Sequence, residues 1–443
     1  MSDRYSSEIK DASPLAQPLH FEFSGRTAQN RFLKAAMTER LSSWDAVHKE
    51  KRGVPSSNLI RLYERWGEGQ YGVCLTGNVM LDYHQLEAKG NPIIPLDAPF
   101  EGERFEAFKE LATKAKAHGS LILAQVSHPG RQVEESINPD PISASDVHLA
   151  GNVMGMKFAK PHAATHDEIK DVVNRFTHAA EFLSKAGFDG LELHGAHGYL
   201  LAQFLSLTTN KRTDEYGGSL RNRARLIIEI ANSIRQKLPA SFVLGIKINS
   251  VEFQDGGFTP DEAKELCTLL EEATFDFVEL SGGTYQSPGF VYKRESTRKR
   301  ENFFLEFAEK ITPGLTRTKT YVTGGFKTVT GMVNALKTVD GVGLGRPAAQ
   351  EPFIAKDIVE GKITGIINQK VDQDDFGLTT VIAGSQMRQM GKGGVPIDMS
   401  KQENVDAFLK DMAKWGQKMA SGDPNNYGFV DIESVAFVPY PVV

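Results

Sequence analysis

Short apolar runs rich in β-branched residues recur along the chain, each followed by a longer stretch with apolar residues at helical spacing. Eight such units can be counted. The predicted strands are Arg31–Met37, Tyr71–Val79, Ser120–Ser127 and Phe188–His194, then Phe242–Ile248, Phe275–Ser281, Lys319–Thr323 and Gly341–Gly345. Several are apolar on both faces, as parallel strands buried between two layers are.

The clearest helix is Asp167–Lys185, where Ile169, Val172, Val173, Phe176, Ala179, Ala180 and Leu183 form one stripe behind Thr165 as N-cap. Helices are also predicted at Leu59–Gln70, Glu103–His118, Asn222–Leu238 and Asp261–Ala273, the last opened by Thr259-Pro260-Asp261 with proline in the first turn. Eight βα units in one run predict a (β/α)8 TIM barrel. A doubly wound open sheet is the alternative, but its glycine-rich turn belongs after the first strand, where this chain has Ala35-Ala36-Met37-Thr38. Two segments stand outside the units: an excursion from Pro129 to His166, expected over the barrel mouth after strand three, and the stretch beyond about Lys356. The expected organisation is a barrel with an N-terminal lid segment over residues 1–355 and a C-terminal extension over 356–443, packed on or near it.

Composition narrows the class. With 51 Lys+Arg against 56 Asp+Glu the formal charge is −5, and 40% of residues are hydrophobic, so a large core is expected and nucleic acid is not an obvious partner. Cys74 and Cys267 are too few for a four-cysteine zinc site or a cysteine-ligated iron–sulfur cluster. No window approaches the roughly 20 apolar residues that span a bilayer. A cytoplasmic protein without membrane contact is expected; the tail could cap the barrel or contact a second subunit, so a homodimer is left open.

In a βα barrel the active site lies at the C-terminal ends of the strands. There the chain presents Thr38, Gly77, Gln125 with His128 and Arg131, His194 with His197 and Tyr199, Lys247, Ser281 with Gly282 and Gly283, Gly324 with Gly325, and Gly345 with Arg346. Thr323-Gly324-Gly325 and Gly343-Leu344-Gly345-Arg346 end strands seven and eight, where barrels commonly bind phosphate through backbone amides; an isolated Gly-Gly more often only makes a turn. His194 and His197 could hold a metal, but the nearby carboxylate is Glu192, one pleat deeper, so none is expected. Neutral imidazoles can instead donate to one substrate oxygen, and the Tyr199 hydroxyl can give a proton to carbon; taken alone, such a Tyr is more often a packing residue. Gln125 and Lys247 could face a heteroaromatic ring edge, or sit on a solvated rim.

Residues 30–38 (NRFLKAAMT), 123–131 (LAQVSHPGR), 191–218 (LELHGAHGYLLAQFLSLTTNKRTDEYGG) with 219–223 (SLRNR), and 343–347 (GLGRP) resemble the old yellow enzyme family, FMN-dependent ene-reductases related to 12-oxophytodienoate reductases. The similarity covers about residues 17–355, and the run from His194 to Arg223 is its most specific part. The resemblance implies a ping-pong cycle in which NADPH or NADH reduces FMN and the flavin then reduces an enone, enal or similar activated alkene. It assigns His194 and His197 to the substrate carbonyl and Tyr199 to proton donation. Thr38 falls where a side chain tunes the flavin C4 carbonyl, Gln125 and Lys247 at the pyrimidine edge, and Ala36, Met37 and Gly77 near the ring. Gly283, Gly324, Gly325, Gly345 and Arg346 complete the cofactor site.

Three positions separate this chain from other members that the resemblance brings in. Many carry Arg where Lys247 stands, one subgroup has Cys in place of Thr38, and another has Asn in place of His197. A neighbouring-subunit arginine of some relatives does not map onto the tail, and Arg388 is a guess for it. Two readings from other classes stand beside the enzyme: a flavin or phosphate carrier without turnover, and an aldolase or isomerase barrel without flavin.

Overall fold

The computed structural model describes residues 2–151, 156–250, 252, 256–281 and 305–440. Eight parallel strands close into a barrel: β1 Phe32–Lys34, β2 Val73–Met80, β3 Leu121–Ser127, β4 Gly190–Gly195, β5 Val243–Asn249, β6 Phe277–Ser281, β7 Lys319–Thr323 and β8 Gly341–Leu344. They follow chain order around the ring, with β1 paired to both β2 and β8. The predicted barrel is therefore the observed one, and every predicted strand overlaps an observed one. The first strand is shorter than the pattern predicts. Pairing stops at Lys34, and beyond Ala35, whose N–H still reaches the Leu344 carbonyl, residues 36–38 leave the ladder to line the mouth.

The outer ring begins with α1 Ser57–Glu68, α2 Gly102–Ala115, α3 His166–Lys185, α4 Arg225–Lys237 and α5 Pro260–Glu272. It continues with α6 Leu305–Ile311, α7 Val329–Ala335 and α8 Ile354–Val359. Thr165 caps α3 in a capping box with Glu168, and Thr259 does the same for α5 with Glu262, Pro260 taking the first helical position. The predicted helix Asn222–Leu238 is two pieces, Leu220–Arg223 and α4, broken at Ala224. Arg223 is drawn inward at that break, donating to the Leu205 carbonyl and pairing with Glu262.

Side-chain alternation divides the barrel interior into layers. At the N-terminal end Leu33, Val73, Leu75, Leu123, Val243, Phe277 and Tyr321 pack together, and an antiparallel hairpin of Leu19–His20 with Thr27–Ala28 plugs them, Leu19, Phe21 and Ala28 joining the cluster. Two residues further along β3, β5, β6 and β7 stand Gln125, then Lys247 after Gly245, Glu279 and Thr323, so the same face turns polar toward the mouth.

The C-terminal extension adds α9 Phe376–Gly391 and α10 Gln402–Ala420. On α9, Ala383, Met387 and Met390 join the main core, whereas Ile382 belongs to a smaller cluster with Ile397, Met399, Val405, Phe408 and Val430. Arg388 is bidentate to Asp431 within the extension at 2.6 and 2.8 Å. Among the described residues no helix is long and apolar enough to cross a membrane.

Candidate active site

The turn after β4 sets the most distinctive part of the mouth. His197 and Gly198 both adopt positive φ, +56° and +78°, which reverses the chain within two residues and starts the short helix Leu200–Leu205 with Tyr199 as its N-cap. Glycine takes this conformation freely; a histidine held in it costs about 1 kcal/mol. Asn249 at the end of β5 helps fix it, accepting the His197 N–H at 3.1 Å while its amide donates to Glu252 at 3.3 Å. The result packs three rings: His194 lies 5.1 Å from His197 and 4.5 Å from Tyr199, both edge-on at 77°.

The imidazoles are set up as neutral donors. His194 Nδ1 accepts the Ala196 N–H at 3.3 Å, which places its proton on Nε2. Burial, with the neighbouring His197 and Lys247 charges, holds His194 well below the usual histidine range. Burial and Lys247 likewise push His197 down to about 3. His197 Nε2 lies 2.9 Å from Ser281 Oγ at the end of β6. The excursion after β3 folds back onto this turn, with Gln132 donating to the His197 carbonyl at 3.2 Å and Gln203 holding the Pro129 carbonyl at 3.1 Å.

One layer deeper, Gln125 Nε2 donates to Glu192 Oε1 at 2.7 Å, leaving its second N–H and its carbonyl for the mouth. Lys247 Nζ lies 2.9 Å from Glu279 Oε1, with side-chain exposures of 5% and 0%. Lys247 is thus a buried ion-pair partner and no solvated rim residue. Sequence reading missed Glu279 altogether, though its place two residues before Ser281 puts it on the same inward face.

Across the mouth, β1 and β2 contribute mainly backbone. A Cβ on Gly77 would lie 2.2 Å from the Met37 carbonyl, so only glycine fits there, beside Ala36 and Met37. The Gly77 N–H meets Glu39 at 2.8 Å and the Tyr63 hydroxyl at 3.0 Å. Thr38 Oγ1 donates to Glu87 at 3.0 Å, an acceptor that sequence reading did not identify. Behind them Lys34 is fully buried, its ammonium 2.5 Å from the Leu75 carbonyl and 3.8 Å from the Trp66 ring centre.

After β7 and β8 the rim is glycine and arginine. Gly324 and Gly325 turn with φ of +136° and +78°, and a Cβ on Gly343 would meet Thr323 Oγ1 at 1.8 Å. Gly345 N-caps the short helix Arg346–Gln350. The half-buried Arg346 guanidinium donates to Thr379 Oγ1 on α9 and lies 5.7 Å from the Phe376 ring. Desolvation lowers it below the usual arginine range, and no carboxylate offsets that loss among the described residues. A half-buried cation flanked by glycine turns suits a phosphate. Of the predicted site residues, Gly282 and Gly283 lie outside the described residues, and the others gather around the mouth in these groups. The thiols take no part: burial pushes Cys74 up to about 11 and Cys267 to about 12.

A βα barrel with a glycine-arginine anion site beside an amide, a buried lysine and neutral imidazoles has the form of a flavin oxidoreductase. The model of the NADH:flavin oxidoreductase / NADH oxidase family matches residues 14–364, and the chain belongs to that family. It is 53% identical over 417 residues to the NADH-dependent flavin oxidoreductase nadA of Aspergillus parasiticus, covering 94% of each chain. To 12-oxophytodienoate reductase 1 of Oryza sativa it is 38% identical over 172 residues, 38% of this chain and 44% of that one. The solved structure of morphinone reductase in complex with tetrahydroNAD shares the fold, with a TM-score of 0.63 at 21% identity over 82% of this chain and 96% of that one. The resemblance to old yellow enzymes is thus upheld, and the protein is an oxidoreductase with FMN as cofactor.

Proposed function

We propose that the protein is an FMN-dependent ene-reductase, which takes hydride from NADH or NADPH and reduces the activated C=C bond of an α,β-unsaturated carbonyl compound. The observation that carries this reading is the His194–His197–Tyr199 cluster: two neutral imidazoles with an adjacent phenol, at the open end of the barrel. A phosphate carrier or sensor has no use for a proton donor there.

FMN, when bound, would supply the hydride chemistry of a ping-pong cycle between nicotinamide and alkene. Gly324, Gly325, Gly345 and Arg346 would hold its phosphate, and Ala36, Met37, Thr38 and Gly77 would border its ring. Gln125 and Lys247 would face the pyrimidine edge. His194 Nε2–H and the His197 ring donate to the substrate carbonyl oxygen, polarising the conjugated double bond. Tyr199 gives its hydroxyl proton to the α-carbon as hydride reaches the β-carbon. Residues 1–355 form the catalytic barrel, and residues 356–443 steady its phosphate corner through Thr379.

Steady-state kinetics test the cycle. Varying NADH at several fixed cyclohexenone concentrations should give parallel double-reciprocal lines and saturated ketone as product. Intersecting lines would remove the ping-pong order, and nicotinamide oxidation with the alkene untouched would remove the ene-reductase reading.

A further inference from the structure

Four strands bring four functional side chains into one buried layer. Register pairs Gln125 with Glu192 across β3 and β4, Glu192 with Gly245 across β4 and β5, and Lys247 with Glu279 across β5 and β6. Glu192 and Glu279 are both fully buried. Glu192 Oε1 has the Gln125 amide, but Glu192 Oε2 and both Glu279 oxygens have no aligned hydrogen-bond donor, even with Lys247 Nζ at 2.9 Å.

Leaving such oxygens bare in a dry layer is expensive, and two adjacent ionised carboxylates against one lysine leave a net negative charge there. A proton on Glu192 removes both penalties, since the acid O–H becomes the missing donor to Glu279. We propose that Glu192 and Glu279 hold one proton between them, forming a positioning pair that orients Gln125 and Lys247 at the flavin's pyrimidine edge and balances the lysine with a single negative charge. This rests on the flavin-binding reading for its consequence, though not for the proton itself.

The electrostatics agree. Burial and the Glu279 charge raise Glu192 well above the usual carboxylate range; burial also acts to raise Glu279, but the Lys247 charge opposes it and the net direction is down. Lys34 on β1 and Tyr321 on β7 also face Glu279, and the His194 and His197 rings above Lys247 are uncharged. A one-proton pair has a signature that two independent carboxylates lack: either member alone can supply the single negative charge. When Glu279 is replaced, Glu192 gives up its proton to face Lys247, and the local charge is unchanged.

The test uses the purified full chain with Glu192→Gln, Glu279→Gln and the double variant, read by infrared spectroscopy and by the flavin midpoint potential. The parent should show the carbonyl stretch of one buried protonated carboxyl group, lost in both single variants. Each single variant should shift the oxidised-to-reduced flavin ratio at fixed potential by less than tenfold. The double variant, with Lys247 uncompensated, should favour reduced flavin by tenfold or more, about 30 mV for a two-electron couple. A parent without the band, or a Glu192→Gln shift as large as the double variant's, would overturn the proposal. The band and the single variants decide the matter even where the double variant does not fold. A chain that takes up no FMN contradicts the proposed function and leaves the infrared result to judge the pair.

Discussion

The two halves of the barrel mouth are built on opposite plans. From β3 to β6 the rim is side chain: Gln125, Glu192, His194, Lys247 and Glu279 are buried, Gln125 hydrogen-bonded to Glu192 and Lys247 ion-paired with Glu279. From β7 round to β2 it is largely backbone, with glycines at 77, 324, 325, 343 and 345 and Arg346 as its cation. Charge that must be tuned at a ring edge or a carbonyl calls for side chains with fixed protonation. A phosphate, which carries its own charge, needs amides and a fork of donors, and there a side chain would only occupy the space.

That contrast separates the effects of substitution. The largest belongs to the side-chain half: Tyr199→Phe should slow flavin reoxidation by cyclohexenone about 100-fold, the low end for a general acid, with reduction by NADH unchanged in stopped-flow traces. Equal loss in both half-reactions would mean the ring serves packing. On the backbone half, Arg346→Ala should weaken FMN binding about 10- to 100-fold, as loss of a charge-assisted hydrogen bond worth about 1.5–3 kcal/mol does, measured by flavin fluorescence on reconstitution. Thr379→Val, which removes only the acceptor that aims Arg346, should cost about fivefold in the same assay. An unchanged affinity would detach the extension from the phosphate corner.

Acid should act on the side-chain half alone. His128 is lowered to about 4 by burial, and His197 to about 3 by burial and Lys247, so between pH 6.5 and those values the unfolded chain binds protons that the folded chain refuses. Stability therefore falls as pH falls through that window, by about 1.4 kcal/mol per pH unit for each histidine. Thermal denaturation should show the slope, and His128→Gln should make it shallower. Binding of a phenol to the oxidised protein should stay flat from pH 8 to 6, since both donor imidazoles are already neutral.

The sequence made some of this visible and hid the rest for physical reasons. Thr165 and Pro260 mark helix starts because capping is a local event, written within four residues. The glycine turn at 324–325 was readable for the same reason. The break at Ala224 was not, since helical spacing runs through it and the cause, Arg223 turning to Leu205 and Glu262, is tertiary. Nor was the pairing of Lys247 with Glu279, which depends on two strands lying side by side, or that of Arg346 with Thr379, 33 residues apart. Thr38 was readable as a position but not as a donor to Glu87.

The most direct test of the account is the visible spectrum of the purified protein, followed anaerobically as NADH or NADPH and then cyclohexenone are added. The account predicts flavin absorbance that bleaches with the nicotinamide and returns with the enone. A protein with no flavin absorbance after incubation with FMN, or one whose bleached flavin is untouched by the enone, would contradict it.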